Sequence, residues 1–130
     1  MKFKYVFVVD DDKIHHFIIK KLLESSNIDV EQVFFENGFD AINDLKGKVT
    51  TGEMLPDLIL LDINMPVLDG WQFLEEFIEL KDKISHDVVI HIISSSDNKI
   101  DIEKAESYKD IIGSYFVKPM TSDSIKSIFS

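Results

Sequence analysis

Cysteine is absent from the sequence, so the chain has no disulfide framework and no thiolate metal site. Positive charge is scarce: 14 Lys and Arg stand against 24 Asp and Glu, a formal charge of −10. Neutralising a nucleic-acid backbone takes clustered Lys and Arg, so direct nucleic-acid binding is not expected. No apolar run approaches the roughly 18 residues needed to cross a bilayer, and Met1 to Val9 have no signal-peptide architecture. Repeats, low-complexity tracts and interdomain linkers are missing as well. The expectation is one domain over residues 1–130, cytoplasmic and with no membrane partner, in which 45% hydrophobic residues fill a single core.

What is present alternates. Five short runs rich in Val, Ile, Leu and Phe predict strands: Tyr5 to Val9, Val33 to Phe35, Leu58 to Leu61, Val88 to Ile93 and Tyr115 to Val117. Three of them are apolar without alternation, which suggests burial on both faces, as in a parallel sheet covered by helices. Between them, Ile14, Phe17, Ile18 and Leu22 mark a first helix, and Ala41, Ile42 and Leu45 a short second one. Leu74, Phe77 and Ile78 mark a third; a weaker, more polar fourth covers about Asn98 to Ser107, and a fifth about Ser122 to Phe129. Lys46 to Pro56, with Gly47, Thr50, Thr51 and Gly52, reads as a longer loop. Alternating strands and helices with short connections predict an α/β, (βα)5 doubly wound fold whose parallel five-stranded sheet has the order 2-1-3-4-5.

In such sheets ligands bind beyond the carboxyl ends of the strands, near the switch in strand order. The residues there are polar: Asp10, Asp11 and Asp12 after the first run, Asp62, Ile63 and Asn64 after the third, Ser94 to Ser96 after the fourth, and Lys118 and Pro119 after the fifth. Carboxylates, a hydroxyl and an ammonium thus converge on one rim. Clustered carboxylates repel one another unless a cation joins them, and a small all-oxygen set suits Mg2+.

The segments Val8-Val9-Asp10-Asp11 and Leu60-Leu61-Asp62-Ile63-Asn64-Met65-Pro66, with Asp69-Gly70 and then Lys118-Pro119, resemble the receiver domain of two-component response regulators. Single-domain, chemotaxis-type regulators are the nearest likeness, and the match in order and spacing covers essentially the whole chain. The resemblance implies a flavodoxin-like receiver fold in which Asp62 takes a phosphoryl group from a histidine kinase or histidine phosphotransfer protein. It further implies that Asp11, Asp62 and the main-chain carbonyl of Asn64 ligate Mg2+, with Asp10 acting through a metal-bound water. Lys118 would contact the phosphoryl group, Ser94 would be the switch hydroxyl and Tyr115 the rotating aromatic. Output to a downstream protein would pass through the face made by the fourth helix, fifth strand and fifth helix. The only chemistry implied is the chain's own phosphorylation and dephosphorylation, so it is not expected to be an enzyme in the ordinary sense.

Plainer roles compete at several positions. Asp12 has no ligand role in the family and is expected to cap the first helix, while Asp69 caps the third and Gly70 allows close backbone approach. His15 and His16 are expected to be exposed on the first helix, His91 to be interior or half-covered in the fourth strand, and Trp71 and Phe73 to pack. Three other functions compete. Asp10 and Asp12 have the spacing of haloacid-dehalogenase-like phosphatases, but Lys13 and Ile14 follow where that family has Gly and Thr or Val. A flavodoxin-like carrier needs a Ser/Thr/Gly-rich phosphate loop, and the acidic triplet would repel a flavin phosphate. A degenerate receiver used only for docking conflicts with the complete set Asp11, Asp62, Ser94 and Lys118.

Overall fold

The structure, a computed structural model, describes residues 3–130. Ten elements alternate: β1 (Tyr5–Val9), α1 (Lys13–Ser25), β2 (Glu31–Phe35), α2 (Gly38–Thr51), β3 (Leu58–Leu61), α3 (Gly70–Lys81), β4 (Val89–Ser94), α4 (Lys99–Glu106), β5 (Ile112–Val117) and α5 (Ser122–Phe129). The strands form one parallel sheet in the order β2-β1-β3-β4-β5, as the alternation predicts. Among the described residues no helix is long and apolar enough to cross a membrane.

The uninterrupted apolar runs follow from two cores. Tyr5, Phe7 and Val9 of β1 join Ile59 and Leu61 of β3 against α2 and α3, while Val6, Val8, Leu58 and Leu60 point the other way, against α1 and α5. Every residue of β1 and β3 is buried, because period-two alternation places one set in each core and neither face meets water. Each large side chain so removed from water contributes roughly 1.5–3 kcal/mol.

Three expectations are corrected. The segment read as a loop from Lys46 is helix as far as Thr51. An i,i+4 pair between Lys48 and Asp44 at 2.7 Å and a bond from Lys46 Nζ to Glu76 of α3 at 2.6 Å hold this stretch, and Gly47 lies in open space. The helix ends only at Gly52, whose left-handed φ of 76° lets its N–H return to the Lys48 carbonyl. Strand β5 begins at Ile112 rather than Tyr115, and includes Gly113 because the His91 ring lies 2.6 Å from where a Cβ would sit. The buried line of α1 is His15, Ile19 and Leu23, an i, i+4, i+8 row, whereas Ile14 is 73% and Phe17 59% exposed.

Candidate functional site

Strand register assembles the rim. Val9 is level with both Phe35 and Leu61, and Ser94 is level with Val117, so the residues one step beyond are neighbours. The amide of Asp62 donates to the Val9 carbonyl at 2.8 Å and that of Asp10 to the Phe35 carbonyl at 3.0 Å. The Lys118 amide donates to the Ser94 carbonyl at 2.7 Å, and the Lys118–Pro119 peptide bond is cis. Asp10, Asp62 and Ser94 are buried, while Asp11, Asp12 and Asn64 are exposed at the mouth.

The carboxylates of Asp10, Asp11 and Asp62 bring one oxygen each within 4.8 Å of one another, a group that could hold a metal ion. Lys118 Nζ lies 2.8 Å from Asp10 Oδ2, 2.9 Å from Asp10 Oδ1 and 3.4 Å from Asp62 Oδ2. These contacts divide the two buried acids. Burial pushes Asp62 up, the Asp10 charge adds to the rise, and its pKa stands at about 7 despite Lys118. Burial works on Asp10 too, but hydrogen bonds from His15, Lys118 and the Asp12 amide more than offset it and hold Asp10 below the ordinary carboxylate range. Burial also opposes the Lys118 ammonium, and the two carboxylates outweigh it, so its pKa is raised. Of the two buried acids Asp62 is thus the less well supplied with protein cations, and the one a bound cation would relieve more.

The caps are as expected for Asp12 and Asp69. Asp12 Oδ1 accepts from the amides of Ile14 and His15, and Asp69 forms a reciprocal capping box with Gln72. Gly70 is required because a Cβ there would lie 2.5 Å from the Asp62 carbonyl oxygen. The loop between holds Val67 at a φ of 70°, an uncommon conformation for a β-branched residue, with Leu68 N–H returning to the Pro66 carbonyl at 2.8 Å.

Beyond the pocket, Ser94 Oγ accepts from the Ser96 amide at 3.1 Å, and the Tyr115 hydroxyl donates to the Ser96 carbonyl at 2.7 Å. Ser96 Oγ donates to Asp101 of α4 at 2.7 Å. Ser96 therefore joins Ser94, Tyr115 and α4, a role that singling out Ser94 from the serine run misses. Sequence reasoning also misses the histidines. His15 is buried, contrary to expectation, with Nδ1 2.9 Å from Asp10 Oδ2. His16 is partly buried, with Nε2 2.6 Å from the Asp10 carbonyl oxygen. The only advance signal was an adjacent His pair one turn beyond the acidic triplet.

The chain matches the family profile described as "Response regulator receiver domain" over residues 6–130. It is 30% identical over 128 residues to the response regulator Rcp1 of Synechocystis, covering 97% of this chain and 82% of that protein. It is 26% identical over 121 residues to a probable methanogenesis regulatory protein, FilR2, of Methanothrix harundinacea, covering 93% of this chain and 76% of that one. Among solved structures, a two component response regulator from Cytophaga hutchinsonii superposes with a TM-score of 0.86 at 28% identity, over 99% of this chain and 96% of that chain. The Mn(2+)-bound form of Rcp1 gives a TM-score of 0.75 at 27% identity, over 96% and 88%.

Proposed function

Because this chain belongs to the response regulator receiver domain family of two-component signalling, we propose that it accepts a phosphoryl group from a phosphohistidine onto Asp62 and relays that event through protein contacts. The donor is a histidine kinase or a histidine phosphotransfer protein. An Asp62 carboxylate oxygen forms the new P–O bond as the P–N bond to the donor imidazole breaks, and later attack by water on the acyl phosphate restores the carboxylate. The chain turns over no other substrate.

The observation that carries this reading is Lys118. Its ammonium lies 3.4 Å from Asp62 Oδ2 and bonds both oxygens of Asp10, so it is placed to neutralise an incoming anion beside the nucleophile. The donor set suits Mg2+ as well: oxygens only, three carboxylates, with Asp62 held at about 7 by burial and Asp10. Asp11, Asp62 and the Asn64 main-chain carbonyl would hold the ion, which when bound draws charge from the transferring group's oxygens. Asp10 would act through water rather than ligate directly, because Lys118, His15 and the Asp12 amide already hold both of its oxygens in place. The related response regulator Rcp1 has an Mn(2+)-bound form, which supports a divalent cation for this chain as well.

Ser94 is the switch hydroxyl in this reading, and Tyr115 reports its position through Ser96. Output passes from there to a downstream protein through α4, β5 and α5, where Ile100 is 72% and Val117 45% exposed. We place the domain in the cytoplasm, residues 1–130 forming one receiver without direct nucleic-acid contact, as expected from its charge. The phosphatase reading loses its second acid, since Asp12 is engaged as a helix cap.

The test is labelling with acetyl phosphate and Mg2+. The chain should gain one labile phosphate and Asp62→Asn none, and undiminished labelling of that variant would sink the assignment.

A further inference from the structure

The two histidines in the first turn of α1 both reach back to Asp10. His15 is 2% exposed, and its two ring nitrogens have opposite duties. The Met120 amide donates to Nε2 at 3.3 Å, so that nitrogen carries no proton, and the proton on Nδ1 is donated to Asp10 Oδ2 at 2.9 Å. His16 Nε2, 2.6 Å from the Asp10 main-chain oxygen, is the donor there because a carbonyl only accepts, and its ring lies 5.0 Å from that of Phe34. One histidine therefore holds the Asp10 side chain and the next holds its backbone.

We propose that His15 is a positioning residue for the acidic pocket: as the Nδ1–H tautomer set by the Met120 amide, it fixes the Asp10 carboxylate and ties it to the turn between β5 and α5. The inference rests on the receiver reading of the pocket and adds a residue to it. Asp10 carries a buried charge within reach of Lys118, and Lys118 must also serve Asp62. With a neutral donor from His15 at Oδ2 and the Asp12 amide at Oδ1, Asp10 does not depend on Lys118 alone. Without His15, Asp10 would turn further onto Lys118, draw the ammonium away from Asp62 and lose the orientation it needs toward water around a bound cation. The same ring touches Met120, two residues after Lys118, so the acidic end of β1 and the basic end of β5 are set by one side chain.

The experiment compares His15→Asn and His15→Gln in the full chain, titrated with MgCl2 and followed by amide NMR shifts of Asp11, Asp62 and Asn64. The Asn amide nitrogen falls where Nδ1 was and keeps the donor to Asp10; the Gln terminus falls near Nε2 and keeps only the Met120 contact. Groups that orient the residues around a metal typically change its affinity by about 10- to 100-fold when removed. His15→Gln should weaken Mg2+ by about tenfold or more, and His15→Asn should restore it to within about threefold of the parent. Both variants lose a buried hydrogen bond and should melt lower, so stability does not separate them and ion affinity does. Long-range 1H–15N spectra of the parent should show His15 as the Nδ1–H tautomer. Equal Mg2+ affinities in the two variants, or an Nε2–H tautomer in the parent, would overturn the inference and leave the receiver reading intact. A parent chain whose pocket amides do not respond to Mg2+ would overturn the cation reading, and this inference with it.

Discussion

The middle of the sheet and its β5 edge are built to different standards. Around β1 and β3 every strand residue is buried, both faces are covered, and acids, histidines and Lys118 are joined by contacts of 2.6–3.4 Å. Around α4 and β5 little is buried. Helix α4 buries only Ala105, β5 is buried only at Ile112, and the β4–β5 register shifts between Ile90 and Ile92. What holds α4 is a set of ties: Ser96 to Asp101, Trp71 stacked on Tyr108 at 5.7 Å, Lys104 over Trp71, and Tyr108 bonded to Glu75 at 2.6 Å. Phosphoryl transfer needs atoms fixed in place, whereas a readout needs an element whose alternatives lie within a few kcal/mol. Under the proposed function, burial would separate the two needs.

Core truncation tests that contrast most severely. Leu60→Ala should cost about 2–5 kcal/mol of unfolding free energy, as buried Leu truncations do, while Ile100→Ala should stay within about 0.5 kcal/mol. Comparable losses in urea melts would erase the contrast.

The next test is pH, in the metal-free chain. Asp62 holds its proton to about 7 in the native state against an ordinary value of 3.8, so the folded state binds that proton more tightly than the unfolded one. Its contribution to stability therefore declines as pH rises from about 4 to about 7, and the loss is complete above that. Asp10, held low, works in the opposite sense: its stabilisation is present above the ordinary value and disappears as pH falls through its native pKa. Asp62→Asn should accordingly be more stable than the parent at pH 8, by about 2–4 kcal/mol, with the gap closing toward pH 4. A pH-independent gap would show that Asp62 is not strained by its surroundings.

Smaller effects separate the acidic triplet. Asp12→Ala should cost about 1 kcal/mol by uncapping α1 and leave the melting-temperature rise in millimolar Mg2+ unchanged. Asp11→Asn should blunt that rise with little effect on the metal-free melt. The reverse pattern would exchange their roles.

The smallest expected effect is the most local. Tyr108→Phe removes the bond to Glu75 and keeps the ring on Trp71, so global stability should fall by about 1 kcal/mol or less. Amide exchange over 99–106 should nonetheless quicken while that of β1 and β3 does not. Uniform quickening would mean that the sheet and α4 open together.

The sequence revealed the fold well because its signals are local: apolar runs, caps and an acidic rim at the strand ends. It concealed α2's last turns, since Gly47, Thr50, Thr51 and Gly52 have loop composition, and ion pairs to Asp44 and Glu76 keep the stretch helical. It misassigned α1's face for a related reason. Ile14, Phe17, Ile18 and Leu22 form a good apolar row, yet the buried row includes His15, because Asp10 gives that ring an interior partner hydropathy does not register. Asp10, Asp11, Asp62 and Lys118 were legible as positions at strand ends. The links through Ser96, His15 and Met120 depend on distances across the sheet.

Trp71, the chain's sole tryptophan, is the second residue of α3, directly after Gly70, whose backbone abuts the Asp62 carbonyl, and its indole lies 20° from parallel with the Tyr108 ring. The protein thus contains an optical probe at the seam between its buried and its loosely tied halves. Any displacement of α4 that parts the two rings, or lifts the Lys104 ammonium now 5.0 Å above the indole, alters the environment of the only indole emitter. Stopped-flow emission on the unlabelled chain would then time the movement of α4 directly, on the same sample whose phosphate content is being measured.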